Sequence, residues 1–155
     1  MIVRDIMKKD VATIDAEALI SDAAKIMSSR LIGSLVVVKN NNVVGILTER
    51  DILLQVTEGK PLSNVKVKDI MSSPVITISP ETDIEEAANV MIKNIIRRLP
   101  VMEGQKLVGI ITSEDIIGIL ATIKMEVSKE VRSICDTIIR IRKERERERT
   151  EPYIR

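Results

Sequence analysis

Histidine is absent from this sequence, as are phenylalanine and tryptophan, and there is one tyrosine and one cysteine. Without histidine, Ser-His-Asp and Cys-His catalysis have no base, and nearly all zinc chemistry loses its ligands. With a single aromatic ring there is no platform for stacked bases, which argues against a single-strand nucleic-acid binder. The net charge of +1 supplies no global field to recruit DNA or RNA. The lone Cys135 cannot form an intrachain disulfide, and a cytoplasmic setting fits. Its neighbours are apolar at helical spacing, so it reads as a packed or interface thiol. Met1-Ile2-Val3-Arg4-Asp5 does not read as a signal peptide. No apolar run approaches the ~20 residues that span a membrane. No nucleophile–base pair and no metal-ligand set stands out, so the expectation is a protein without catalysis.

What the chain has is a repeat. Val3 to Val56 aligns with Val67 to Leu120 at a constant offset of 64 residues, without a gap. Of those 54 positions 21 are identical, enough to imply two copies of one supersecondary unit packed with approximate two-fold symmetry. The shared residues include Asp5/Asp69, Met7/Met71, Gly45/Gly109, Thr48/Thr112 and Asp51/Asp115. With 45% apolar residues and no large rings, the core must be aliphatic.

Each copy reads as β-α-β-β-α, an α+β unit. Val11 to Ile14 is short and β-branched, a strand. Ile20, Ala23, Ala24, Met27 and Leu31 recur at helical spacing. In the second copy Asp83 and Glu86 look like a capping pair; the first copy has Leu19 and Asp22 there and must start its helix another way. Leu35 to Val38 and Val43 to Leu47 form a hairpin about Lys39-Asn40-Asn41-Asn42, since Asn tolerates left-handed φ. Leu99 to Met102 and Leu107 to Ile111 repeat it. The divisions are residues 1–57, a linker 58–66, residues 67–120, and a C-terminal part 121–155. In that part Val127, Val131, Ile134, Ile138 and Ile141 are spaced like an a/d seam, fit either for packing on the chain's own domain or for a dimer contact. The alternating Arg and Glu from Arg140 to Arg149 suits a solvated helical end.

The stretch Gly45-Ile46-Leu47-Thr48-Glu49-Arg50-Asp51 recurs as Gly109 to Asp115. Thr and Asp stand where a strand gives way to a helix N-terminus, whose unpaired N–H groups and dipole favour anions. Thr-x-x-Asp is also the spacing of a capping box. The two readings are compatible.

The order Asp-Ile-Met, Val-x-Thr-Ile, Ala-Ala-x-x-Met, Leu-Pro-Val and Val-Gly-Ile-Ile-Thr-x-x-Asp resembles a CBS domain, named after cystathionine β-synthase. Two in tandem resemble a Bateman module, over about residues 1–120. The resemblance implies a regulatory module that binds adenosine-containing ligands (AMP, ADP, ATP or S-adenosylmethionine) in clefts between the repeats. It implies ribose and phosphate contacts from Thr48, Asp51, Thr112 and Asp115. It places adenine slots at Val11, Ala12 and Ile32, paired with Asp115, and at Val75, Ile76 and Ile96, paired with Asp51. Arg97 and Arg98 resemble the family's basic pair and suit phosphate; their counterparts are Gly33 and Ser34. The implied partners are an adenine nucleotide, a second copy in a homodimer and an unknown effector protein, with no membrane and no resident cofactor. Mg²⁺ would enter only with ATP. The competing readings are a nucleic-acid-associated regulator using the Arg-rich tail, and a structural dimerisation module with vestigial pockets.

Overall fold

A computed structural model of the chain describes residues 1–59, 62–122 and 135–141. Residues 1–112 make one body, and Ser113 onward belongs to a second. The a/d seam from Val127 and the Arg-rich end fall mostly outside the described residues; of them, 135–141 are helical, with Cys135 half-buried.

In the first body the order is α1 (Val3–Ile6), β1 (Thr13–Asp15), α2 (Ile20–Arg30), β2 (Ser34–Lys39), β3 (Asn42–Thr48) and α3 (Glu49–Thr57). A 3-10 turn (Leu62–Asn64) follows, then α4 (Val67–Ile70), α5 (Ile84–Asn94), β4 (Arg98–Glu103) and β5 (Lys106–Thr112). The second body opens with α6 (Ser113–Thr122). β1 lies parallel to β2, which pairs antiparallel with β3; β4 pairs antiparallel with β5. The α+β repeat architecture is therefore present, with the second copy repeating the order of the first apart from its opening strand.

The hairpins turn as the sequence requires. Asn40 and Asn41 both have positive φ, 50° and 63°, as a type I′ turn demands. The second hairpin turns on Gly104-Gln105, and of these only Gly104 is positive, at 61°. Glycine stands where the sharper bend falls.

Two local expectations need correction. The first strand covers Thr13 to Asp15 rather than Val11 to Ile14, and in the second copy it shrinks to one bridge, Ile78 to Val101. The cause is a missing donor. Val36 N–H donates to Ala12 O at 3.1 Å, but the equivalent residue is Pro100, which has no N–H to give to Ile76. Asp83 does cap α5, but its carboxylate accepts from Glu85 N at 2.9 Å with no reciprocal bond from Glu86. The first copy has no side-chain cap on α2; it relies on a backbone bond that both copies make, Ile20 N donating to Val65 O at 3.0 Å and Ile84 N to Met1 O at 3.1 Å.

That last bond belongs to a larger exchange, in which the leading segment of each repeat docks on the other repeat. Ser72 and Ile46 trade two backbone bonds of 2.9 and 3.1 Å, so residues 65–72 close the free edge of β3. Lys8 and Ile110 trade two of 2.9 Å, so residues 1–8 close the free edge of β5. Val67 N reaches Ala18 O at 2.8 Å, and Val3 N reaches Thr82 O at 2.8 Å. Asp5 and Asp69 each accept from the backbone N–H three residues earlier, at 3.0 Å, and so shape the two short helices.

Side chains lock the exchange. Val3 and Val67 are fully buried, and each such burial stabilises by about 1.5–3 kcal/mol. Val67 sits in one aliphatic cluster with Ile14, Met27, Leu35, Val37 and Leu47 of the first repeat. Met71 packs on Gly45, and Met7 packs on Gly109. A Cβ added at Gly45 would stand 2.6 Å from Met71 Sδ and 2.9 Å from Ser72 O; at Gly109 it would stand 2.5 Å from Met7 Sδ. The Asp-Ile-Met and Gly-Ile motifs are thus two sides of one contact.

Half-exposed ion pairs rim each docking site and contribute less than the buried valines. Glu17 receives Lys66 at 2.8 Å and Lys68 at 2.7 Å, with Lys39 at 3.7 Å. The positions equivalent to Glu17, Lys68 and Lys39 hold Glu81, Arg4 and Glu103, and Arg4 bridges both acids at 2.6 and 2.8 Å. Hydrogen bonds from Lys66 and then Lys68 hold the Glu17 carboxyl down to about 2. Hydrogen bonds that Arg4 donates to Glu103 and then Glu81 raise its pKa above the usual guanidinium value.

Two outcomes are expected. Gly45→Ala should destabilise by about 1–3 kcal/mol in urea unfolding, because the Ser72 carbonyl is backbone and cannot swing away. Glu17 has a folded pKa below its usual 4.5, so its contribution is complete above that pH and fades as pH falls toward 2. The melting-temperature gap between wild type and Glu17→Gln should therefore be open at pH 7 and close across that window.

Candidate functional site

The chain leaves the exchange at Ser72 and returns to its own sheet at Ile78. The crossing between them forms one wall of a cleft of about 730 Å³, within the usual range of small-ligand pockets. Pro74, Val75 and Ile76 supply this wall, and Gly33, Ile46, Thr48, Glu49, Arg50 and Leu53 of the first repeat supply the other. Ile95, Ile96, Arg97 and Arg98 close one end.

The closing end is set by how α5 stops. Ile95 takes a left-handed φ of 55°, and Ile96 N donates back to Met91 O at 2.9 Å, the Schellman arrangement. Glycine usually fills that left-handed position, and a β-branched residue there is strained. Here it is isoleucine, and it is 94% exposed at the cleft rim. α2 ends the same way on Leu31, φ 53°. The motif turns the chain so that Arg97 and Arg98 follow directly into β4.

The opposite side is the N-terminus of α3. Thr48 is extended, at φ −119° and ψ 160°, and caps the helix. Its hydroxyl accepts from Asp51 N at 3.3 Å, while Asp51 Oδ2 accepts from Thr48 N and from Thr48 Oγ1, both at 2.7 Å. The capping box is therefore real in the first copy. Thr48 lines the cleft, and Asp51 is bonded directly to its hydroxyl through Oδ2.

Gly33 carries a constraint the sequence did not disclose. A Cβ there would meet Arg98 Nη2 at 3.0 Å and Glu49 Oε2 at 3.2 Å. An arginine of the second repeat and a glutamate of the first thus share the small space above one glycine. Glu49 N also donates to Gly33 O at 3.1 Å, which pins the start of α3 to this point.

Of the residues singled out from sequence, Thr48, Val75, Ile76, Ile96, Arg97 and Arg98 line this one cleft. Val11, Ala12 and Ile32 are half-buried in the first body, where Thr112 ends β5; Asp115 stands in the first turn of α6 in the second. Sequence reasoning did not single out Glu49, Arg50, Gly33 or Leu53. Glu49 and Arg50 lie inside the Thr-x-x-Asp motif itself, and their charge was the available signal. Among the described residues no cluster of acids and cysteine could hold a metal ion, and no helix is long and apolar enough to cross a membrane.

The arrangement is that of two repeats bordering one cleft, lined by aliphatic side chains and by the charged Glu49, Arg50, Arg97 and Arg98. The profile of the CBS domain matches residues 3–58 and again residues 67–122. The chain belongs to the CBS domain family and carries two copies of the domain. An uncharacterized protein of Methanopyrus kandleri is 37% identical over 134 residues, 82% of this chain and 68% of that protein. A CBS domain-containing protein of Bacillus subtilis is 33% identical over 114 residues, 74% of this chain and 81% of that one. A solved CBS domain pair in complex with 5′-methylthioadenosine and S-adenosyl-L-methionine is 31% identical, with a TM-score of 0.74 over 80% of this chain and 98% of that one.

Thr48→Ala should lower stability by about 1 kcal/mol through the lost cap, and Thr48→Ser should restore most of it. Urea unfolding of the two variants beside wild type measures this.

Proposed function

We propose that this chain is a non-catalytic regulatory module that binds an adenosine-containing ligand in the cleft between its two CBS domains. The observation that carries the reading is the lining itself: Val75, Ile76 and Ile96 at the apolar part, Thr48 beside them, Arg97 and Arg98 at the charged part. In this reading the base lies on the aliphatic slot. The ribose meets Thr48 and the carboxylate of Asp51, which takes both Thr48 bonds on Oδ2 and can accept the O–H groups of a diol. The phosphate meets the two guanidinium groups, whose planar forks suit it. A solved neighbour holding two adenosine derivatives supports the ligand class.

The cationic end favours a nucleotide over S-adenosylmethionine, whose sulfonium it would repel. The equivalence of Thr112 and Asp115 to Thr48 and Asp51 in sequence supports a second binding position. The module works in the cytoplasm as a homodimer and passes its signal to a separate effector protein. Exposed Leu53, Leu54 and Val56 on α3 support a protein contact there. Ligand binding acts by favouring one arrangement of the repeats or of the two chains over another.

A thermal-shift series with AMP, ADP, ATP and S-adenosylmethionine tests this. A ligand at 100 times its Kd stabilises by about 2.7 kcal/mol, an easily visible shift. The shift should vanish in Asp51→Ala and in the double variant Arg97→Ala with Arg98→Ala; Asp115→Ala reports on the second position. No shift with any ligand would leave vestigial pockets as the better account.

A further inference from the structure

We propose that Glu49 sets the charge of the ligand this cleft accepts, selecting a nucleoside monophosphate over a triphosphate. The inference rests on the adenosine reading above and names what chooses within that class. Among the described residues lining the cleft, the charged groups are Arg50, Arg97, Arg98 and Glu49. Their sum is two positive charges. A phosphate monoester carries about −1.5 to −2 at neutral pH, so one such group neutralises the cleft. A triphosphate brings further negative charge that the three arginines beside the Glu49 carboxylate do not balance.

The geometry gives Glu49 this effect. Its Oε2 and the Arg98 Nη2 stand over the same Cα, that of Gly33, 3.2 and 3.0 Å from where a side chain would begin. A phosphate approaching Arg98 therefore meets a carboxylate already beside it. The backbone that carries it is also held in place. Glu49 N is bonded to Gly33 O at 3.1 Å, and Glu49 occupies the first turn of α3, where the helix dipole favours negative charge. The second copy has Ser113 and Glu114 where the first has Glu49 and Arg50, so this pairing belongs to one cleft only.

A purely structural role would make Glu49 a helix-start acid, felt in stability and nowhere else. Calorimetric titration of the full chain and of Glu49→Gln with adenosine, AMP and ATP separates the two. The variant should bind adenosine within about twofold of wild type. Its preference for AMP over ATP should fall by roughly threefold to fivefold, the scale of one partly exposed charge pair. Glu49→Lys should move the ratio further in the same direction. An unchanged AMP-to-ATP ratio in both variants overturns the proposal, as does an equal gain for adenosine. If wild type binds none of the three, the adenosine reading itself fails, whereas binding with an immovable ratio removes only the role of Glu49.

Discussion

The exchange of leading segments is the constraint on which the rest of this protein depends. A lone repeat would end its sheet at β3 with an unpaired edge, a liability for any chain. Here Ser72 closes that edge through its two bonds to Ile46, and Lys8 does the same for Ile110. The fit needs glycine at 45 and 109, because a methionine from the other repeat rests where a side chain would begin. Val67 buries itself among first-repeat residues rather than its own. The apolar contacts and the paired backbone bonds dominate; the ion pairs around Glu17 and Arg4 are half in water and trim the fit.

The cleft is a by-product of that exchange. A chain that gives Ser72 to the first repeat and Ile78 to the second must cross the gap between them, and Pro74, Val75 and Ile76 are the crossing. The slot's apolar wall is therefore fixed by the same bonds that hold the repeats together. Its charged end arises from divergence between the copies. Gly33 has no side chain, and Arg98, in the other copy, fills the space.

Periodicity and duplication made much of this legible. The repeat at an offset of 64, the two hairpins with their Asn and Gly turns, and the Thr48–Asp51 box could all be read from residues. The Arg97-Arg98 pair stood out by its charge. The exchange was not legible, because a buried Val67 reports that something covers it and not which repeat does so. The loss of the second copy's first strand was written in Pro100 and was visible only once its register opposite Ile76 was known. Gly33 looked merely small, since a glycine's neighbours leave no mark in sequence. Glu49 was passed over because an acid in the first helical turn is ordinary.

In the proposed reading, binding and helix stability meet in the same atoms at Thr48 and Asp51. The Thr48 hydroxyl both accepts from Asp51 N and donates to Asp51 Oδ2. For a ribose held here, any bond it takes from that hydroxyl or carboxylate is drawn from, or shared with, the start of α3. The energy of one cap is about 1 kcal/mol, the same scale as typical coupling between sites. α3 carries Leu53 toward the cleft, while Leu54 and Val56 are about half exposed. A change at its first turn therefore acts on the slot and on the exposed apolar side chains of one nine-residue helix. A ligand signal would need no long path through the core, because its receiver and its outward surface belong to the same two and a half turns of chain.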